Sequence, residues 1–280
     1  MTSALPADLP EQVSRALRED VGSGDVTAQL IAATAHARAQ VLCREAAVLC
    51  GSAWFAETFR QLDSEVQVRW NFDDGAHIAP NTVLCELSGP ARAILTGERT
   101  ALNFLQLLSA TATVTARFAK ALAGTATRIL DTRKTIPGLR SAQKYAVRCG
   151  GGENHRMGLY DRVLIKENHI AACGSIAAAV AAARASAPGI LVEVETEDLA
   201  EVASALAAQC DILLIDEFSL EDMKRAVALN RAAARPAKIE ASGSVSLERL
   251  ADIAATGVDY ISSGGLTKHV QAIDMSLRIL

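Results

Sequence analysis

Six short apolar runs of this sequence each end on residues that could do chemistry. Two ends are basic, two carry a carboxylate and two are Ser-Gly turns. In chain order the ends are Arg133 with Lys134, Lys166 with Glu167, Glu195, Asp216, Ser242 with Gly243, and Ser263 with Gly264 and Gly265. Guanidinium and ammonium groups bind carboxylates and phosphates. Carboxylates hold a divalent cation or move protons, and Ser-Gly turns let backbone N–H groups approach an anion closely.

Positive charge is concentrated in one part of the chain. Residues 128–166 contain nine Lys or Arg and three Asp or Glu, a net charge of +6, whereas the other residues contain 19 basic and 29 acidic groups. A basic region inside a chain of net charge −4 favours a small polyanionic substrate and argues against a broad nucleic-acid-binding face. His155 and Arg156 follow a glycine run without a nucleotide-binding pattern. We interpret that run as a loop that places an imidazole and a guanidinium.

These ends can meet only if the six runs are strands of one sheet. Ala-rich or amphipathic stretches of helical period separate the later runs, and a repeated strand–helix–strand pattern predicts parallel βαβ units. We therefore predict an α/β barrel or an open α/β sheet whose carboxyl edge carries the site, with phosphate held after the last two strands. The runs are RILDT (128–132), RVLIK (162–166), ILVEVE (190–195), DILLID (211–216), KIEAS (238–242) and DYISS (259–263).

The first 125 residues have a different pattern. A helix is predicted over residues 9–20, strand-like runs with turn signals follow, and a long helix is predicted over 100–122. This part predicts an α+β domain. The 280 residues include no signal peptide and no apolar stretch long enough to cross a membrane, so the cytoplasm is expected. The six scattered cysteines are expected to be reduced.

The sequence resembles the quinolinate phosphoribosyltransferase family, the carboxylating nicotinate-nucleotide pyrophosphorylases. The most specific block lies within residues 131–170 and reads DTRKTIPGLR and QKYAVRCGGGENHRMGLYDRVLIKENHI. Further matches are GSGDVT (22–27), SGPARAILTGERTALNFLQLLSATAT (88–113), VEVET (192–196) and DYISSGGLTKHVQAIDMSL (259–277). The resemblance implies an incomplete six-stranded TIM-like α/β barrel over 113–267. It also implies an N-terminal α+β sandwich-like domain over 1–112, joined by a C-terminal helix at about 268–280.

The resemblance implies a reaction in de novo NAD biosynthesis. Quinolinate and 5-phosphoribosyl 1-pyrophosphate (PRPP) give nicotinate mononucleotide, pyrophosphate and CO₂ with Mg²⁺ as cofactor, in a homodimer or a larger assembly of dimers, without nucleic acid or membrane. The implied quinolinate-binding residues are Arg99 reaching the partner's site, Arg133, His155, Arg156 and Lys166. The implied PRPP-binding residues are Lys134, Thr135, Glu195, Asp216, Ser242, Gly243, Ser244, Ser263, Gly264 and Gly265. Glu195 and Asp216 would also hold Mg²⁺ with PRPP oxygens, and Lys134, Lys166, Glu195 and Asp216 would be catalytic.

Two positions depart from the family pattern. Glu217 stands where the family usually has Asn, and Ser244 follows Gly243 where it commonly has Gly or Asn. Three alternatives stay open at this point. One is a transferase of the same fold acting on nicotinate without decarboxylation. The second is a phosphate-binding lyase or aldolase with a Schiff-base lysine at Lys134 or Lys166, and the third is a non-catalytic sensor of phosphorylated metabolites.

Overall fold

The computed structural model describes residues 4–280, which form two compact units. Unit 1 comprises the described residues up to Ala116 together with Thr135–Gly151 and Gly265–Leu280. Unit 2 comprises Arg117–Lys134 and Gly152–Gly264. The predicted domains, 1–112 and 113–267, differ from this division mainly in residues 135–151, which belong to unit 1.

Helices and strands alternate along most of the chain. The helices are α1 (Leu9–Val21), α2 (Ser52–Leu62), α3 (Ala91–Ala121), α4 (Arg140–Cys149), α5 (Glu167–Cys173), α6 (Ile176–Ser186), α7 (Leu199–Ala207), α8 (Leu220–Ala232), α9 (Leu250–Ala255) and α10 (Gly265–Lys268). The strands are β1 (His36–Cys43), β2 (Ala47–Val48), β3 (Gln67–Trp70), β4 (His77–Ile78), β5 (Thr82–Pro90), β6 (Arg128–Leu130), β7 (Val163–Ile165), β8 (Val192–Thr196), β9 (Ile212–Asp216), β10 (Lys238–Ser242), β11 (Tyr260–Ser262) and β12 (Met275–Ile279).

Unit 1 contains an antiparallel sheet of order β12-β1-β5-β3. Ala39, Val41 and Cys43 alternate with more exposed residues along β1, so one face of the sheet is apolar. That face packs in one core cluster with Phe55 and Phe59 of α2. The two-residue strands β2 and β4 form a separate antiparallel pair. This arrangement gives unit 1 its predicted α+β character.

The prediction of a C-terminal helix at about 268–280 is wrong. After the short helix α10, residues 275–279 form β12, which pairs antiparallel with β1 from Cys43↔Met275 to Ala39↔Ile279. Met275 and Leu277 are buried and the residue between them is less so, which is the period of two that a strand requires. The unpaired edge of β1 supplies the hydrogen bonds that a helix would have made internally.

Unit 2 contains the six predicted strands in one parallel sheet. Its order is β6-β11-β10-β9-β8-β7, so β6 and β7 lie at the two edges. β9 is buried along four of its five residues, as expected for a parallel strand covered on both faces. Strand pairing among the described residues does not join β6 to β7, which agrees with the predicted incomplete barrel.

Among the described residues, no single helix is both long enough and apolar enough to cross a membrane. The pair α5 and α6, bent by 91° at the break between them, passes on length and composition when the two helices are taken together.

Candidate active site

The carboxyl ends of the unit 2 strands meet at one edge of the sheet, as predicted. Asp216 at the end of β9 is the register partner of Ser242 at the end of β10. On the other side of β9, Thr196 pairs with Ile215, which places Glu195 one residue before the same edge. Lys166 directly follows β7, the neighbour of β8. Parallel pairing therefore brings both predicted carboxylates and one predicted lysine to a common edge.

Lys166 and Glu195 form an ion pair across neighbouring strands, with Lys166 Nζ donating to Glu195 Oε2. Lys166 also begins α5, and its backbone N–H donates to His169 Nδ1 at 3.0 Å. Glu195 is only partly exposed, so its carboxylate fixes the lysine head group more firmly than a solvated pair would. A lysine held in this way suits the binding of an anion better than attack on a carbonyl as a free amine.

Two arginines of unit 2 lie close enough for the charge of one to act on the other. Arg133 Nε is buried, and no hydrogen-bond acceptor for it is found among the described residues. Partial burial, together with the charge of Arg133, lowers the pKa of Arg156. Like charges held close in a partly desolvated place are costly unless an anion joins them. Arg133 and Arg156 therefore form a preorganised pocket for a carboxylate or phosphate.

His155 is buried, and its ring is oriented by its hydrogen bonds. The backbone N–H of Arg156 donates to His155 Nδ1 at 2.8 Å, so the ring proton is on Nε2. Nε2 lies 3.0 Å from Glu193 Oε2 and 3.5 Å from Glu240 Oε2. The backbone N–H of His155 donates to the buried Asp131 at 2.9 Å. His155 thus faces two carboxyl groups of the sheet, while contact with quinolinate stays a prediction.

Glu193 and Glu240 are buried carboxyl groups that the sequence analysis did not assign to the site. Glu193 Oε1 and Glu240 Oε2 lack a hydrogen-bond partner among the residues the structure describes. Burial and the charge of Glu193 raise the pKa of Glu240 well above its usual value. Burial would also raise the pKa of Glu193, but the hydrogen bond from His155 and the charge and hydrogen bond of Arg162 outweigh burial and lower it. Glu240 therefore holds its proton more strongly than an ordinary glutamate, and Glu193 loses its proton more readily.

A pattern of two-residue spacing could have identified both groups. Glu193 stands two residues before Glu195 on β8, and Glu240 stands two residues before Ser242 on β10. Residues two apart on a strand share a face of the sheet. The buried pair and the edge groups Glu195 and Ser242 therefore lie on the same face.

The two departures from the family pattern contact each other. Ser244 Oγ donates to Glu217 Oε1 at 3.1 Å, and the backbone N–H of Glu217 donates to Ser242 O at 3.2 Å. Gly243 between them has φ +114°, and a Cβ there would lie 2.7 Å from Glu217 Cδ and 2.9 Å from Glu217 N. The Glu217 side chain thus packs against the loop after β10. Gly243 is required both by its backbone angle and by this contact.

We expect Gly243→Ala to weaken PRPP binding as well as stability. Positive φ costs a non-glycine residue about 1 kcal/mol or more, and the contact with Glu217 must also open. Gly189→Ala is the matched control, because Gly189 has φ +82° with nothing within 4 Å of an added Cβ. Both variants should lower the free energy of unfolding in urea, but only Gly243→Ala should raise the KM for PRPP. An unchanged KM in Gly243→Ala would show that this loop does not hold the phosphate.

The second Ser-Gly end approaches a predicted lysine. A Cβ on Gly264 would lie 2.8 Å from Lys134 Cδ, so the aliphatic part of the Lys134 side chain packs directly against Gly264. Ser263 is buried, and its backbone N–H donates to Leu130 O at 3.0 Å. The structure therefore brings Lys134, Ser263 and Gly264 together within unit 2.

The remaining predicted residues belong to unit 1. Arg99 is exposed on α3. Thr135 Oγ1 accepts a hydrogen bond from Arg140 Nε at 3.2 Å, and Gly265 begins α10. Their roles in binding stay predictions.

Two family models together match most of this chain. The model described as quinolinate phosphoribosyl transferase, C-terminal domain, matches residues 111–278, and the model of the N-terminal domain matches residues 25–109. The chain belongs to the quinolinate phosphoribosyltransferase family. This membership confirms the resemblance and the enzyme class that the motifs predicted.

Relatives of the family match along nearly the whole chain. A nicotinate-nucleotide pyrophosphorylase (carboxylating) of Mycobacterium leprae is 40% identical, covering 95% of each chain. A quinolinate phosphoribosyltransferase (decarboxylating) of Nicotiana glauca is 38% identical, covering 97% of this chain and 82% of the relative. The solved nicotinate-nucleotide pyrophosphorylase of Francisella tularensis is 46% identical with a TM-score of 0.95, covering 100% of this chain and 99% of that one. The predicted fold class is thereby confirmed.

Proposed function

We propose that this chain transfers the phosphoribosyl group of PRPP to the ring nitrogen of quinolinate. The nitrogen lone pair forms a bond to C1 of the ribose, the bond from C1 to oxygen breaks, and pyrophosphate leaves. The 2-carboxyl group then leaves as CO₂, its bonding electrons stay on the ring carbon, and a proton replaces it. The product is nicotinate mononucleotide. Family membership supports this reaction.

The arginine pocket is the observation that best supports a dicarboxylate substrate. Arg133 carries a buried donor, Nε, without an acceptor among the described residues, and its positive charge acts on Arg156. Quinolinate carries two carboxylates, and two guanidiniums can bind one or both through paired hydrogen bonds. Lys166 at the same edge adds a further charge, although it is shared with Glu195. Nicotinate, with one carboxylate, needs fewer cations.

Catalysis would rest on position and electrostatics, without a covalent nucleophile. Positive charge develops at C1 as pyrophosphate leaves, and the carboxylates of Glu195 and Asp216 at the strand edge would stabilise it. Lys134 would balance the negative charge on the leaving group. The loops at Ser242–Ser244 and Ser263–Gly265 would hold the 5-phosphate through backbone N–H groups.

The carboxylates also fit a hard divalent cation. Asp216 is partly exposed and its carboxylate makes no hydrogen bond or ion pair to a described residue, and Glu195 keeps one oxygen that Lys166 does not occupy. Oxygen donors of this kind are what Mg²⁺ prefers in proteins. Bound there with the phosphate oxygens of the substrate, Mg²⁺ would neutralise the pyrophosphate as it leaves.

The reaction is tested by incubating the protein with PRPP, Mg²⁺ and either quinolinate or nicotinate. We expect nicotinate mononucleotide and CO₂ in equal amounts from quinolinate, no product from nicotinate, and no turnover after chelation of Mg²⁺. Product from nicotinate alone would overturn the substrate assignment. Calorimetric binding of either acid without turnover would favour the sensor alternative.

All six cysteines are free thiols, as in reducing compartments, which supports the cytoplasm as the location.

We also propose a homodimer in which each copy lends Arg99 to the site of its partner. The exposed position of Arg99 on α3 supports this role. Arg99→Ala and Lys166→Ala should each be inactive alone, whereas mixed dimers restore one intact site. Random exchange should then regain about a quarter of the wild-type activity, because half the dimers are mixed and half their sites are complete. No recovery between subunits that demonstrably exchange would show that Arg99 serves its own chain.

A further inference from the structure

Two thiols of unit 1 lie beside each other, and neither is assigned to the reaction. Cys50 precedes α2 and is fully buried, while Cys149 is the last residue of α4 and is partly exposed. Their sulfur atoms and a carboxylate oxygen of Asp74 all lie within 4.8 Å of one another. A buried and an accessible thiol in contact form a pair with unequal roles.

The carboxylate of this cluster is already satisfied by other donors. Asp74 accepts the backbone N–H groups of Gly51 and Ser52, both at 3.1 Å, and the hydroxyl of Tyr145 at 3.0 Å. These bonds fix Asp74 against the start of α2. A carboxylate so fully engaged is poorly placed to bind a metal, so the chemistry of the cluster belongs to its sulfur atoms.

The surroundings favour the thiolate of one cysteine over the other. The neighbouring Cys50 thiol lowers the pKa of Cys149, and partial burial opposes this effect. Burial raises the pKa of Cys50 well above its usual value. Since the thiolate is the reactive form, Cys149 is the nucleophile and Cys50 is the thiol held in reserve.

We propose that Cys149 and Cys50 are a modification site at which a hydroperoxide closes an intramolecular disulfide. The Cys149 thiolate attacks the terminal peroxide oxygen, the O–O bond breaks, and water or an alcohol leaves with the proton it requires. Cys149 is then a sulfenic acid. The Cys50 sulfur attacks the sulfenic sulfur, the S–S bond forms, and the hydroxyl leaves as water with the Cys50 proton. Two thiols lose two electrons, and the peroxide gains them.

The local backbone allows the sulfur atoms to approach. Cys149 ends its helix and is followed by Gly150, Gly151 and Gly152, of which Gly151 has φ +84°. Cys50 is followed by Gly51 with φ +107°. A disulfide requires the sulfur atoms to come to about 2 Å from each other, and rotation of the Cys149 side chain at the helix end can supply this movement.

Peptide mapping of the full-length protein tests the proposal directly. The reduced protein is treated with hydrogen peroxide, quenched with N-ethylmaleimide and digested with trypsin. We expect the peptide of residues 45–60 joined to that of residues 149–156, with the loss of two hydrogens from the intact chain. Dithiothreitol should reverse the change. If Cys149 remains fully alkylated while the exposed Cys173 is oxidised, the proposal is wrong.

Matched variants separate the two steps. Cys149→Ser should abolish the cross-link, and Cys50→Ser should leave a sulfenic acid on Cys149 that dimedone traps. Cys173→Ser, which removes an exposed thiol of unit 2, should leave the cross-link unchanged. No dimedone adduct in folded Cys50→Ser, or loss of the cross-link in Cys173→Ser, would overturn the assigned roles.

Discussion

Replacing Arg133 by alanine is expected to lower kcat/KM for quinolinate by roughly 10²- to 10³-fold, as the loss of one member of a buried charge pair costs about 2–5 kcal/mol. The buried Nε of Arg133 has no acceptor among the described residues, so its interaction energy is available to the substrate. Removing it also removes the charge that acts on Arg156. Steady-state kinetics with quinolinate varied at saturating PRPP measures this effect.

The control is Arg225→Ala on α8, where the guanidinium is exposed and paired with Asp222 at 3.2 Å. Such a surface pair contributes about 0–1 kcal/mol to stability, so turnover should match that of the wild type. Arg133→Lys restores the charge without the paired hydrogen bonds and should recover activity only in part. Wild-type kinetics in Arg133→Ala would remove this residue from the quinolinate pocket.

Glu193→Gln should lower stability and Glu240→Gln should not, although both residues lie in the same buried cluster. Glutamine replaces the charge that faces His155 and Arg162 in the first variant, which should cost about 1.5–3 kcal/mol, the value of a hydrogen bond to a charged group. In the second variant glutamine replaces a carboxyl group whose raised pKa favours its neutral form. Its amide can donate to Glu193 as the protonated carboxyl does, so no loss is expected.

The pH dependence of unfolding distinguishes the two carboxyl groups further. Glu240 has a raised pKa when folded, so its contribution to the free energy of unfolding is largest below 4.5, its ordinary value, and falls as the pH rises. Glu193 has a lowered pKa, so its contribution is present above 4.5 and is lost as the pH falls through its folded value. Urea unfolding at pH 4 and pH 7 should therefore show Glu240→Gln gaining, and Glu193→Gln losing, stability relative to the wild type as the pH rises. Equal losses in both variants at neutral pH would mean that both groups are charged.

The sheet of unit 2 could be predicted because its strands are short apolar runs with regular helical spacers. The ends of those runs were predicted for the same reason, since parallel strands finish at one edge. The orientation of His155 could not be predicted in this way. It depends on Asp131, 24 residues earlier in the chain, which accepts the backbone N–H of His155. A hydrogen bond of that kind leaves no periodic signal in a sequence.

The buried carboxyl pair and the last strand escaped prediction for different reasons. Glu193 and Glu240 stand on separate strands, and only the pairing of β8 and β10 with β9 places them near each other. Their protonation depends on that proximity. The last strand is short, and its partner β1 lies more than two hundred residues earlier in the chain. The alternation of Met275 and Leu277 therefore did not indicate which strand these residues would pair with.

The pairing of β12 with β1 also determines when the N-terminal sheet can be completed during synthesis. A ribosome releases residues 36–43 more than two hundred residues before the strand that completes that edge of the sheet. Unit 2, which ends at Gly264, has all its strands before then. Domains generally fold as units during translation. Unit 2 should therefore fold before the antiparallel sheet of unit 1 is complete, although most of unit 1 comes earlier in the chain. Until residues 275–279 emerge, the open edge of β1 is the place where a nascent chain of this protein would need protection from aggregation.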